Sequence, residues 1–185
     1  MASPSLRPAK ESTSLNEQGP VANVAERPLT HCKGDQMEPV DKRSDSRSTF
    51  APATPAQLFA AMSDPSRVAR WWGPDGFTST MHQFDFRPGG AWLLTMHGPD
   101  GTDYPNESRF SRLVPGELFE IEHLSGHHFM LSIKLKAVAG GTQIHWRQTF
   151  DTIEHFESIA QFVSEANAQN LKRLAAEALH PAGAS

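Results

Sequence analysis

The sequence Trp71-Trp72-Gly73-Pro74, followed by Arg87-Pro88-Gly89-Gly90, decides the fold of this chain. Successive residues on a helix point about 100° apart, so two adjacent tryptophans cannot both face one apolar stripe. Gly-Pro ends a helix, and the Arg-Pro-Gly-Gly turn lies between two strand-like segments. We therefore predict a helix end beside the start of a sheet, with one indole in the core and the other, Trp72, at a cavity.

Two short helices precede this point. Thr54 is suited to an N-cap, Pro55 to the first helical position, and Gln57 completes a capping box. Asp64-Pro65 repeats the cap-then-proline pattern and predicts a second helix that ends at Gly73-Pro74. A short polar strand is predicted before both helices, around residues 44–50.

From Phe77 onward the hydrophobic period changes to two, which indicates strands. Phe84 and Phe86 alternate with polar residues, and Trp92, Leu94 and Met96 do so after the turn. Turn signals separate the later segments. Four further strands are predicted, over residues 106–114, 118–123, 129–138 and 143–150.

A long C-terminal helix is predicted from about Ile153 to about His180. Asp151 and Thr152 give it an opening signal, and apolar residues recur behind them at three- and four-residue steps. The predicted fold is α+β: a curved antiparallel sheet of six to seven strands wrapped on this helix, with two short helices after the first strand. A curved sheet and a straight helix touch poorly along their whole length, so we expect a cavity between them.

Composition divides the chain into three parts. We predict a disordered or loosely attached leader over residues 1–45, a domain over 46–180 and a tail over 181–185, because no aromatic residue precedes Phe50. Beyond residue 48 there are 17 − 7 = 10 basic and 21 − 7 = 14 acidic residues, which disfavours nucleic-acid binding. The single cysteine, Cys32, excludes an intrachain disulfide and favours a cytoplasmic location. No apolar segment is long enough to span a membrane.

Several ordered motifs along residues 46–180 resemble one protein superfamily. The chain is similar to START-like (SRPBCC, helix-grip) proteins, and within them to stand-alone relatives of the C-terminal domain of the heat-shock-protein-90 ATPase activator. This resemblance implies the helix-grip fold, whose members bind varied ligands or have no known activity. The sequence departs from the pattern at Asn106, Glu107 and Ser108, where apolar and glycine residues are usual. The matching segments are Ala53–Ala56 with Leu58-Phe59, Asp64-Pro65, Arg70–Pro74, Phe84–Gly90, Met96–Gly101, Val114–Leu118, Thr149–Asp151, and Asn170-Leu171 with Arg173-Leu174.

Inward-facing residues of the predicted sheet describe an apolar space with aromatic walls, the usual form of a small-molecule site. Our first hypothesis is that the chain binds a small hydrophobic or amphipathic molecule there, without catalysis and without a cofactor. His123, Asn106 or Gln148 would orient that molecule. The predicted ligand-binding residues are Trp72, Phe84, Trp92, Met96, Phe110, His123, Phe129 and Trp146.

Two alternatives remain open. The superfamily includes cyclase- and hydratase-type enzymes, for which His123 with a carboxylate would be the acid–base pair. The named relative implies a second alternative function, that of a chaperone ATPase co-regulator. That relative uses a further N-terminal domain, however, and the leader is too short to be one. No metal is predicted, because the domain has no cysteine and no His-x-x-x-His pair on a helix with the glutamate that a zinc site of that kind uses. The oligomeric state, including a homodimer, stays open.

Charged residues on the strands are predicted to form surface pairs rather than a catalytic site. Asp85 and Arg87 flank Phe86 on one face and can pair across the Arg-Pro-Gly-Gly turn. Glu120 and Glu122 share a face, with Arg112, Lys134 or Lys136 available on neighbouring strands.

Overall fold

The computed structural model describes residues 41–181, so most of the predicted leader and tail lies outside the described residues. Seven strands and three helices follow one another in the order that the sequence predicts. A short turn leads into the first strand, which begins at Ser44. The elements are β1 (Ser44–Ala51), α1 (Pro55–Ser63), α2 (Pro65–Trp71), β2 (Thr78–Phe84), β3 (Ala91–His97), β4 (Asp103–Val114), β5 (Leu118–His123), β6 (Phe129–Val138), β7 (Gly141–Phe150) and α3 (Ile153–Glu177).

The two short helices begin at the predicted caps. The Thr54 hydroxyl accepts a hydrogen bond from the Gln57 backbone N–H at 3.2 Å, and the Thr54 N–H donates to Gln57 Oε1 at 2.8 Å. At α2, the Asp64 carboxylate accepts from the Ser66 N–H at 2.8 Å. These side chains satisfy N–H groups that have no partner within a helix, which explains why the helices begin at these residues.

The sheet is antiparallel throughout, with the strand order β1-β7-β6-β5-β4-β3-β2. Strands β2 to β7 form a meander, and β1 crosses over to pair with β7, so β1 and β2 form the edges. Register shifts occur between Met81 and Gln83 and between Phe110 and Arg112. Such irregularities bend a strand and increase its local twist. The result is the predicted curved sheet of the helix-grip fold.

Helix α3 has 25 residues, a length of about 38 Å, and ends at Glu177 rather than at His180. Its buried face includes Val163, Leu171 and Leu174, as the apolar spacing predicts. Beyond Ala178 the backbone forms turns, with the His180 N–H donating to the Glu177 carbonyl at 3.1 Å. The sequence-based prediction extends the helix past Glu177 because the next residues, Ala178 and Leu179, are compatible with both a helix and a turn.

A buried ion pair attaches the end of α3 to α2. Arg67 Nε donates to Glu177 Oε1 at 2.9 Å, and the side chains of the two residues are 4% and 7% exposed. Arg67 also donates to the backbone carbonyls of Glu177 and His180, at 2.6 and 3.1 Å. Arg70 adds a second guanidinium to the same carboxylate, at 2.7 Å. These contacts hold α3 at one end of the space that it covers.

Candidate functional site

A cavity of about 410 Å³ lies between the inner face of the sheet, the middle of α3 and the segment that follows α2. Its walls are mainly aromatic and apolar. It is lined by Trp72, Gly73, Pro74, Phe77, Met96, Tyr104, Pro105, Asn106, His123, Ser125, Gly126, His127, Phe129, Gln148, Phe162, Val163, Ala166, Asn167 and Asn170.

The two tryptophans of the opening motif face different surroundings. Trp71 is fully buried, and its Nε1–H donates to the Ala61 carbonyl at 3.0 Å. Trp72 lines the cavity, and its ring centroid lies 4.9 Å from that of Trp92. Gly73 follows with φ +105°, and a Cβ there would lie 2.6 Å from Met96 Cε. Glycine is therefore needed where the chain leaves α2 and passes the cavity wall.

Four of the eight residues that the sequence nominates for ligand binding line this cavity. They are Trp72, Met96, His123 and Phe129. All of them lie between β3, the end of α2 and the adjoining ends of β5 and β6.

The other four nominated residues, Phe84, Trp92, Phe110 and Trp146, do not line the cavity. Their rings pack on other rings in the core: Trp92 stacks on Phe110 at 5.9 Å, and Phe84 meets Phe110 edge-on at 5.1 Å. Trp146 is buried, and its ring centroid lies 6.3 Å from that of Trp72. Alternation along a strand identifies the inner face, but not whether a neighbouring ring or empty space lies opposite.

His123 is the most deeply buried ionisable side chain of the cavity wall, with 7% of its surface exposed. Its Nδ1 lies 3.1 Å from the His127 carbonyl, its Nε2 lies 2.9 Å from Asn106 Oδ1, and its ring stacks on Phe129 at 4.5 Å. A carbonyl only accepts, so Nδ1 carries a proton. Burial holds the pKa of His123 below its ordinary value. The carboxylate partner that an acid–base pair requires is replaced here by an amide.

A row of side-chain amides runs along the α3 side of the cavity. Asn167 Nδ2 donates to Asp45 Oδ2 at 2.9 Å and to Gln148 Oε1 at 2.8 Å. Asn170 Oδ1 accepts from the Gly73 backbone N–H at 2.9 Å. Asn167, Gln148 and Asn170 are 3%, 7% and 6% exposed. These bonds fix the orientation of all three amides.

Ionisable side chains are scarce in the lining of the cavity. Within residues 41–181, the lining residues include no aspartate, glutamate, lysine or arginine. The carboxylate nearest in the hydrogen-bond network, Asp45, is paired with Arg47 at 2.7 Å. The described part of the chain also has no cluster of three or more His, Cys, Asp or Glu side chains that could hold a metal ion.

Sequence reasoning missed the α3 residues of the wall. Val163, Ala166, Asn167 and Asn170 follow one another at spacings of three, one and three residues, which places them on one helix face. The informative signal is an asparagine pair within an otherwise apolar stripe, because a buried amide needs partners. Phe162 lies off this stripe, is 61% exposed and had no signal of its own.

The predicted surface pairs are present. Arg87 and Asp85 form an ion pair at 2.7 Å across the turn, and Arg112 lies 3.5 Å from Glu120. Of the three basic residues predicted as possible partners, Arg112, Lys134 and Lys136, it is Arg112 that pairs with Glu120.

Histidines outside the cavity wall contact polar neighbours. His145 is exposed and contacts the Ser48 hydroxyl at 2.8 Å. His128 bonds to Asp151 at 2.8 Å and to Glu122 at 3.3 Å, and these carboxylates raise its pKa.

Comparisons with known proteins agree with this architecture. The family model described as "Activator of Hsp90 ATPase homolog 1-like protein" matches residues 52–178. No curated protein matches the sequence. No helix within residues 41–181 is long and apolar enough to cross a membrane.

Solved structures from several bacteria share the fold at low sequence identity. A protein from Nitrosomonas europaea is 15% identical, with a TM-score of 0.70 over 76% of this chain and 97% of its own. A protein from Arthrobacter aurescens is 22% identical, with a TM-score of 0.69 over 80% and 93%. An AHSA1 protein from Silicibacter pomeroyi is 19% identical, with a TM-score of 0.60 over 72% and 96%. Identities this low establish the fold alone.

Proposed function

We propose, on the premise that this chain belongs to the family of activator of Hsp90 ATPase homologue 1-like proteins, that it binds a small, largely apolar molecule between the sheet and α3. The fold of this family typically binds ligands in a cavity. Fold alone does not supply function, so the proposal rests on the site itself.

The observation that carries the proposal is the cavity and its lining. A volume of about 410 Å³ lies in the range of about 300–1,000 Å³ that is usual for small-molecule sites. Five aromatic rings contribute to the wall, from Trp72, Phe77, Tyr104, Phe129 and Phe162. Such rings provide large apolar contact areas that favour a flat or aliphatic molecule.

The surroundings of His123 favour binding over catalysis. General acid–base work requires a group that can exchange protons with the substrate at an accessible nitrogen. Both ring nitrogens of His123 already have protein partners, the His127 carbonyl and the Asn106 amide. We therefore assign His123 a structural role in the cavity wall, where its ring stacks on Phe129.

The proposal includes a cytoplasmic location. It rests on cysteine usage, since Cys32 is the single cysteine of the 185 residues and allows no intrachain disulfide. Fractionation of cells expressing the tagged chain tests this part independently of ligand binding.

A titration with naphthalene, followed by amide ¹H–¹⁵N chemical shifts, tests the proposal. We expect saturable shifts concentrated at the lining residues, together with a change in tryptophan fluorescence because Trp72 forms part of the wall. Shifts scattered over the surface, or none, would contradict cavity binding.

A matched pair of variants locates the binding. Ala166 lines the cavity, whereas Ala176 is exposed on the same helix outside it. Ala166→Phe fills the space and should abolish naphthalene binding, and any overpacking should cost about 1–3 kcal/mol at most. Ala176→Phe should bind as the parent does. Equal binding by both variants would place the site elsewhere.

A further inference from the structure

We infer that the ligand is an uncharged molecule with a carbonyl-type hydrogen-bond acceptor, and that the side-chain N–H groups of Gln148 and Asn170 receive its oxygen. This inference rests on the proposed function and assigns the chemical class of the ligand. It follows from the orientation of the buried amides and from the charge balance of the wall.

The orientation of Gln148 follows from Asp45. A carboxylate accepts hydrogen bonds, so the atom of Asn167 that lies 2.9 Å from Asp45 Oδ2 is the amide nitrogen. The same nitrogen lies 2.8 Å from Gln148, which must therefore present its oxygen to Asn167. The side-chain NH₂ group of Gln148 therefore has no hydrogen-bond partner among residues 41–181.

The orientation of Asn170 follows from Gly73. The Gly73 backbone N–H is a donor, so the Asn170 atom 2.9 Å away is the carbonyl oxygen. The NH₂ group of Asn170 likewise has no partner in the described part of the chain. Both Asn170 and Gln148 line the cavity and are more than nine-tenths buried.

The amide groups without protein partners are mostly donors. Gln148 and Asn170 together offer four N–H hydrogens, whereas Asn167 offers one acceptor oxygen. The Gln148 and Asn170 nitrogens keep contact with the cavity space, so a ligand that supplies an acceptor there gains a hydrogen bond in a largely apolar surrounding. A carbonyl oxygen, with two lone pairs and no proton of its own, is the complement of this wall.

The absence of charge decides between a neutral carbonyl and a carboxylate. Within residues 41–181 the wall has no lysine or arginine to pair with an anion, and both ring nitrogens of His123 already face protein acceptors, the His127 carbonyl and Asn106 Oδ1. A buried charge without a partner is strongly disfavoured. The site therefore suits a ketone, ester, lactone or amide group on an apolar body.

Three probes of similar size test this inference on the full chain: 2-acetylnaphthalene, 2-ethylnaphthalene and 2-naphthoate. We expect the ketone to bind about five- to tenfold more tightly than the hydrocarbon, as one hydrogen bond provides. The anion should bind at least tenfold more weakly than the ketone. The side-chain NH₂ resonances of Gln148 and Asn170 should shift with the ketone and stay nearly unchanged with the hydrocarbon.

Variants assign the effect to these donors. Gln148→Met keeps the side-chain length and removes the NH₂ group, and it should reduce the preference for ketone over hydrocarbon to about one- to twofold. Gln143→Met lies on the same strand and outside the cavity lining, and it should leave the preference intact. Asn170→Asp keeps the acceptor for the Gly73 N–H, removes the donor and should also weaken ketone binding.

The outcomes separate this inference from the proposed function. Equal affinity for ketone and hydrocarbon would overturn the inference and leave cavity binding intact. Tightest binding of the naphthoate would overturn it in favour of an acidic ligand. No binding of any of the three probes would remove the proposed function and the inference with it. A preference for the ketone that survives Gln148→Met and Asn170→Asp alike would refute the assignment to these amides.

Discussion

Glu177→Ala tests the contact that holds α3 over the cavity. The Glu177 carboxylate accepts hydrogen bonds from Arg67 and Arg70 at 2.9 and 2.7 Å, and the Arg67 side chain is only 4% exposed. The substitution leaves the Arg67 guanidinium buried without a counter-charge. It is therefore a test of whether this pair, rather than apolar packing alone, fixes the end of the helix.

The expected loss can be estimated from the burial of the pair. Removing one partner of a buried ion pair costs about 3–5 kcal/mol. Arg67 keeps its bonds to the carbonyls of Glu177 and His180, so we expect a value near the lower end, about 3 kcal/mol. In a chain of this size that corresponds to a decrease in Tm of roughly 6–12 °C.

The effect should also depend on pH. The hydrogen bond from Arg70, followed by the one from Arg67, holds the pKa of Glu177 below its ordinary value. A carboxyl with a lowered pKa in the folded state stabilises the protein above its unfolded-state pKa and loses that contribution as the pH falls through the folded-state pKa. The difference between the parent and Glu177→Ala should therefore be full at neutral pH and shrink in acid.

Urea unfolding followed by circular dichroism measures the loss, with Arg70→Met as the matched control. The Arg70 side chain is 47% exposed, so its removal should cost about 1 kcal/mol or less. If Glu177→Ala cost no more than Arg70→Met, the buried pair would not be what anchors α3.

Three further predictions concern other parts of the fold. Gly73→Ala should lower the free energy of unfolding by about 1–3 kcal/mol in urea titrations, because φ is +105° and the new Cβ would lie 2.6 Å from Met96 Cε. His128→Ala should destabilise the protein at pH 5.5 more than at pH 8.5, since the Asp151 hydrogen bond raises the pKa of His128 and a raised pKa stabilises below the unfolded value. Thr54→Ala should cost about 1 kcal/mol in thermal melts through loss of the capping box, and unchanged melting would refute that role.

The sequence predicted the order of elements because the signals for each element are local. Thr54 and Asp64 mark helix starts by side-chain hydrogen bonds to nearby N–H groups, and Gly73 marks a backbone conformation that other residues rarely adopt. Alternation from Phe77 onward required only knowledge of the strand period. The end of α3 was placed three residues too late, because the alanine and leucine that follow Glu177 suit a helix and a turn alike, so the local pattern does not mark the end.

The wall of the cavity was less predictable than the fold. His123 and Trp72 could be nominated from their positions on strand and helix, and both line the cavity. Trp92 and Phe110 have the same parity but stack on each other, a contact between strands that no local pattern specifies. The Asn167 amide was missed because its role depends on Asp45, 122 residues away in the chain.

The most direct test of ligand binding in this cavity is an intermolecular nuclear Overhauser effect between naphthalene and methyl-labelled methionines. Met96 lines the cavity, whereas Met130 is 39% exposed on β6 and provides the internal control. Binding between the sheet and α3 predicts a strong effect from the naphthalene protons to the Met96 methyl and none to Met130. An effect at Met130 without one at Met96 would contradict it.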